Sequence, residues 1–177
     1  MTEANLLGEF GFFSDLDASR LEALAQKCSV SECKPGDVIY RAGEPARLLH
    51  GVLEGQVELS LEVTDKELKA EICYEEAVQA SVVDKQKRIV LDAAGPGQVF
   101  GWAALSKLGR RTLTARCREA GRIFSLSAAD LKAMMDADHT MGYLLMKRLA
   151  DMLSLHLKIR TDKLIETWVE AFGVGKI

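Results

Sequence analysis

Side chains able to do chemistry are few in this sequence, and their spacing excludes more than it suggests. The three histidines, His50, His139 and His156, lie far apart, and no HxH, HExxH or paired CxxC spacing builds a metal site. Four cysteines, Cys28, Cys33, Cys73 and Cys117, are sparse in 177 residues, which fits a reduced, cytoplasmic setting better than a disulfide framework. Cys28 and Cys33 flank a predicted strand and raise the idea of a redox pair or part of an iron-sulfur site. Strand positions alternate between faces, however, so these two do not face each other and are read as core or semi-buried residues. Arg110 and Arg111 form a basic pair on a turn and by themselves read as surface cations. No nucleophile with a base, phosphate-cradling Gly-rich loop or metalloprotease motif supplies an active site, so the chain is expected not to be an enzyme.

The composition sets the class. With 48% apolar and 28% charged residues the chain has material for one packed core, and a single domain over 1–177 is expected. A net charge of -3 gives no broad electropositive field, which argues against nonspecific binding to nucleic acid. No window approaches the roughly 18 apolar residues of a membrane span, and MTEANLLGEF opens with acidic residues instead of a basic leader. Neither a transmembrane helix nor a signal peptide is expected.

The elements follow from periodicity. Residues 14–26, with Ser14 or Asp17 as N-cap before Leu16, Leu21, Leu24 and Ala25, predict an amphipathic helix. From 28 to 126 the texture is short strands and tight turns: CSVSEC, KPGD, VIY and RAGEPA. LLHGVLEGQVELSLEV predicts a hairpin turning at Glu54-Gly55, and TLTARC with RIFSLS another turning at REAG. The charge-rich segment 64–88 fits either an inserted helix or a longer hairpin arm. After GPGQVFG, the run WAAL predicts a helical turn. From 127 to 170 the pattern is helical, with Ser127 as a cap and a long helix from Thr140 to about Val169. On it Met146, Leu149, Leu153, Leu157, Arg160 and Leu164 recur at three- and four-residue steps. A stripe this long outruns one small β-domain, and pairing with a second copy would bury it.

Four collinear pieces, KPGDVIYRAGEPA, VLEGQVEL, GPGQVFGWAAL and RRTLTA, resemble the cyclic nucleotide-binding domain over about residues 12–165. They are similar in particular to the sensor half of bacterial CAP/FNR-type regulators. The resemblance implies a mainly β fold with flanking helices: a double-stranded β-helix jelly roll with an N-terminal helix, a short cassette helix and a long C-terminal dimerisation helix. It also implies a phosphate-binding cassette at Phe100 to Ala115. There the backbone of Gly101, Trp102, Ala103 and Ala104 opens a short helix, Arg111 neutralises an anion, and Thr112 completes an Arg-Thr pair. On the long helix it implies Arg160 and Thr161 over the ligand and a dimer interface of Met146, Leu149, Leu153, His156, Leu157 and Leu164.

Two residues depart from the family pattern. Trp102 stands where the family has an acidic ribose acceptor, and Leu113 replaces a small residue. The bland alternatives are a turn cation at Arg111, a Trp102 that closes the barrel mouth, and solvated Arg160 and Thr161. His156 is read as packed or interfacial and not as a haem ligand. The cluster-binding relatives use cysteines in an N-terminal extension that this sequence lacks.

The sequence ends at AFGVGKI, where the regulators continue into a helix-turn-helix, so direct DNA binding is not expected. The expected function is a non-enzymatic, cytoplasmic, homodimeric sensor. It would take a cyclic nucleotide or another anionic ligand and report to an unidentified protein partner. The alternative is a scaffolding dimer with a ligand-free pocket. A cupin-like enzyme is a third reading, which the lack of a histidine and carboxylate cluster disfavours.

Overall fold

The computed structural model describes residues 3–72 and 78–173, with side chains described for 6–64 and 86–173. The chain forms two compact units, a helical one from 1–26 with 130–177 and a β one over 27–129.

The β unit is an antiparallel six-stranded roll, the jelly roll expected. Its strands are β1 (Cys28–Cys33), β2 (Val38–Tyr40), β3 (Leu48–Ile72), β4 (Val78–Ala94), β5 (Val99–Phe100) and β6 (Thr114–Ser127). β6 pairs with β1, β2 and β3, while β3 pairs with β6, β4 and β5. The inward residues Cys33, Tyr40, Val52, Val57, Phe100, Ala115, Cys117 and Ile123 form its core.

Two predicted hairpins are not hairpins. β3 runs unbroken through Glu54-Gly55, and β6 runs unbroken through REAG; the two stretches lie side by side in the β3/β6 ladder, where the register shifts at 52/54, 54/56 and 56/57. Gly55 takes φ +83°, and a Cβ on Gly121 would sit 1.9 Å from the Glu54 carbonyl oxygen. The glycines mark a paired bulge at which two backbones approach, and Gly carries the same local signal for a bulge as for a turn.

The segment 64–88 resolves as a hairpin arm. β3 and β4 stay paired from Thr64↔Gln86 out to Ile72↔Val78, beyond Ser60↔Thr114, the last pair that β6 makes with β3. Residues 73–77 lie outside the described ones.

The helical unit contains α1 (Glu3–Gly8), α2 (Ala18–Ala25), most of α3 (Ala128–Ala137) and α4 (His139–Phe172). Asp17 is the N-cap of α2 and accepts from the Arg20 N–H at 2.9 Å, whereas the Ser14 hydroxyl donates to the Gly11 carbonyl. Arg20 also donates to Asp138 at 2.7 Å, and Asp138 caps α4 by accepting from the Met141 N–H. One arginine thus ties the caps of two helices together. α4 ends at Gly173, which adopts the left-handed conformation of a helix terminator. Among the described residues no helix is long and apolar enough to cross a membrane.

Candidate functional site

The loop between the short turn after β5 and the start of β6 carries two adjacent arginines with opposite fates. The turn Arg41 to Ala46 holds this loop: Arg111 N–H donates to the Glu44 carbonyl, Gly43 N–H donates to the Arg111 carbonyl, and Ala46 N–H donates to the Gly109 carbonyl. The Thr114 hydroxyl accepts from the Ala42 N–H at 3.1 Å and secures the strand end. Neighbouring residues on this extended stretch point to opposite sides. Arg110 reaches outward to the Gly43 carbonyl, and Arg111 turns inward until only 5% of it is exposed. The surface-cation reading of Arg111 is therefore corrected.

The buried guanidinium is held by the protein's own backbone. Nη1 donates to the Gly101 carbonyl at 2.7 Å and Nη2 to the Leu48 carbonyl at 2.6 Å. The group lies 4.0 Å above the Tyr40 ring, a cation–π contact. Tyr40, His50 and Phe100 stack beneath it, with the His50 ring 5.6 Å from Tyr40 and 5.2 Å from Phe100. Among the described residues no carboxylate is in ion-pair contact with Arg111, Glu44 acts on it only through its more distant charge, and its buried Nε has no hydrogen-bond partner. Burial lowers the Arg111 pKa, but a guanidinium remains cationic at neutral pH.

His50 sits against that charge. Its Nε2 lies 3.4 Å from Arg111 Nη2, and its Nδ1 is 2.9 Å from the Ser125 hydroxyl. A guanidinium only donates, so Nε2 is the acceptor and Nδ1 carries the proton. Burial first and the Arg111 charge second push the His50 pKa down to about 3, which keeps the ring neutral. Burial likewise pushes the Tyr40 phenol up to about 12, with Arg111 opposing.

Gly101 makes this arrangement possible. It precedes the turn Trp102–Leu105 with φ +77°, and a Cβ there would lie 2.5 Å from Arg111 Nη1. Only glycine tolerates both the dihedral and the approach. The turn is a four-residue 3₁₀ helix and carries little dipole, so the electrostatics of the site rest on Arg111 more than on the helix start. Ala103 and Ala104 are buried with Ala46 and Ala128, Trp102 is half-buried, and Thr112 is exposed.

Of the residues singled out in the sequence, Gly101 and Arg111 are in direct contact, and Trp102, Ala103 and Ala104 follow on the adjoining turn. Arg160 and Thr161 stand on exposed turns of α4, in the helical unit. On α4, Met146, Leu157 and Leu164 are exposed, whereas Leu149, Leu153 and His156 are half-buried. Tyr40, His50 and Ser125 are not among the site residues singled out in the sequence, and Phe100 stands there only as the first residue of the cassette. A signal existed for His50, which interrupts the apolar run LLHGV at the same strand parity as the buried Val52.

Comparison with known proteins bears on the family and the fold. The family model for the cyclic nucleotide-binding domain matches residues 30–138. A Rhodopseudomonas palustris protein named as a potassium channel protein is 29% identical over 131 residues, 74% of this chain, which spans only 26% of that protein's length. The crystal structure of a cyclic nucleotide-binding protein from Geobacter metallireducens superposes with a TM-score of 0.66 at 24% identity, covering 89% of this chain and 99% of that one. The Thermus thermophilus catabolite activator protein does so with a TM-score of 0.64 at 19% identity, over 90% and 63% of the two chains. A family match over more than half of the chain makes this chain a member of the cyclic nucleotide-binding domain family.

Proposed function

We propose that this domain is a non-enzymatic sensor that binds an anionic small ligand at Arg111 and works as a homodimer joined through α4. One observation carries the reading: a buried guanidinium with no carboxylate in ion-pair contact among the described residues, only Glu44 acting on it at a distance, and with its Nε unpaired. A desolvated cation held by two carbonyls, a neutral imidazole and an aromatic face, with no ion-pair partner, is an incomplete electrostatic arrangement, and a phosphate or carboxylate would complete it. The ligand would be a cyclic nucleotide or a related anion. Trp102, in place of the ribose acceptor, supports a preference that differs from cyclic AMP. Support for the dimer comes from α4, where Leu157, Leu164, Trp168 and Phe172 are all more than half exposed.

A second reading has its own observation. The bonds from Arg111 to the Gly101 and Leu48 carbonyls show a guanidinium already employed as an internal clamp, as a scaffolding dimer with a ligand-free site would have it.

Thermal-shift measurements against cyclic AMP, cyclic GMP, cyclic dinucleotides and small phosphorylated or carboxylated metabolites separate the two. The sensor reading expects a rise in Tm with at least one anion, as mass action requires. That rise should be absent in Arg111→Lys, which keeps the charge but cannot hold two carbonyls and a bidentate anion together. No response to any anion would favour the scaffold, and an equal response in the variant would place anion binding away from Arg111.

A further inference from the structure

The roll also contains a pair of thiols that its site chemistry does not use. Cys33 closes β1 and Cys117 lies in β6, 84 positions later, yet their Sγ atoms are 2.7 Å apart inside the core, against about 2.05 Å in a formed disulfide. The backbone fixes both partners. Cys33 is in register with Gly121 across β1 and β6. Cys117 donates its N–H to the Asp37 carbonyl and accepts from the Gly36 N–H, each at 2.8 Å, and it is in register with Val57. Cys28, the cysteine nearer to Cys33 in sequence, is not part of this contact. Among the described residues no third histidine, cysteine or carboxylate joins the pair to make a metal site.

We propose that Cys33 and Cys117 are a dithiol site that hydrogen peroxide closes to a disulfide, locking the β1–β2 turn to β6. The sulfur of one cysteine attacks a peroxide oxygen; the O–O bond breaks, leaving a sulfenic acid and one water. The second thiol then displaces the hydroxyl, forming the S–S bond and releasing another water. Two thiols lose two electrons and two protons in all, and the peroxide is reduced to two waters. Access sets the rate. Both side chains are buried, with exposures of 6% and 1%, and burial pushes the Cys117 thiol up to about 12. The reaction therefore passes through opening of the exposed turn Lys34 to Asp37, and the bond once made is shielded from reductant.

The test uses the full chain, reduced and freed of reductant, then treated with hydrogen peroxide in buffer alone and in a low concentration of urea that is afterwards removed. The expected product has lost two hydrogens by intact mass and yields a Cys33–Cys117 cross-linked peptide, formed faster in the urea arm. Its Tm should rise by roughly 5–10 °C, reversed by unfolding in dithiothreitol and refolding. Cys28→Ser should behave as wild type, and Cys33→Ala should lose the cross-link. The proposal is overturned if Cys33 and Cys117 are recovered as free or over-oxidised thiols, if either pairs with Cys28 or Cys73, or if the bond forms without raising Tm.

Discussion

The roll buries a cation, while the outer turns of α4 leave aromatic rings in water. Arg111 is 5% exposed, whereas Trp168 and Phe172, stacked on each other at 4.8 Å, are 58% and 65% exposed. Each placement runs against the solvation of its side chain. A buried guanidinium is tolerated because two carbonyls and an aromatic face replace part of its hydration, and an exposed apolar stripe is tolerated on a helix that its own backbone bonds hold together. In the roll the tension lies in charge and an anion would relieve it. On α4 it lies in apolar area, which a second protein surface would relieve.

The most disruptive way to break this contrast is to remove the bulge on which the roll depends. Gly121→Ala places a Cβ against the Glu54 carbonyl, and a loss of about 4 kcal/mol or more is expected by chemical denaturation. A loss under 1 kcal/mol would show that the two strands can separate cheaply there.

His50 gives the next largest effect, through pH. The unfolded imidazole titrates near 6.5 and the folded one near 3. The unfolded chain therefore takes up the proton first, so this contribution is full above about pH 6.5 and is lost as the pH falls towards 3. By pH 4.5 the loss should amount to about 2–3 kcal/mol. Tm measured from neutral to acid pH should fall less steeply in His50→Gln than in wild type. Parallel curves would place the acid sensitivity on other groups.

Gly101→Ala tests the clamp itself, since it combines a strained dihedral with a displaced guanidinium. The expected cost is about 2 kcal/mol, with loss of any anion response. A variant that kept the full anion response would separate ligand binding from the Gly101 contact. On the helix side the stability effect is smallest: Leu157→Glu with Leu164→Glu should change the Tm of the monomer little, because both sites are exposed. Sedimentation should nonetheless show loss of the dimer. A dimer that persists in this variant would move the interface elsewhere.

The legible and illegible parts of the fold divide by range. Alternation in VELSLEV and the stripe on α4 announce a strand and a helix because their periods are local. The cap at Asp17 and the terminator at Gly173 are local chemistry too, although Ser14 competed for the first role and Gly173 was not read as a stop. The hairpins proposed at Glu54-Gly55 and REAG failed because what occupies the space beside Gly121 is a carbonyl 67 positions away in sequence. For the site, the order of the motifs pointed to Gly101 and Arg111. The His50 and Tyr40 platform stayed hidden: Tyr40 stands inside KPGDVIYRAGEPA with no role assigned to it, His50 lies between the motifs, and only strand pairing brings them beneath the guanidinium.

The sequence by itself determined the helical and β regions, through periodicity and turn residues, and its collinear motifs carried the resemblance that implied the class of fold, the family and the arginine to watch. Only the tertiary structure decided that Arg110 faces out and Arg111 in, that His50 is neutral, that two apparent turns are one shared bulge, and that Cys33 meets Cys117. Each of these depends on atoms brought together across long stretches of chain, where sterics and desolvation, and not local propensity, set the outcome.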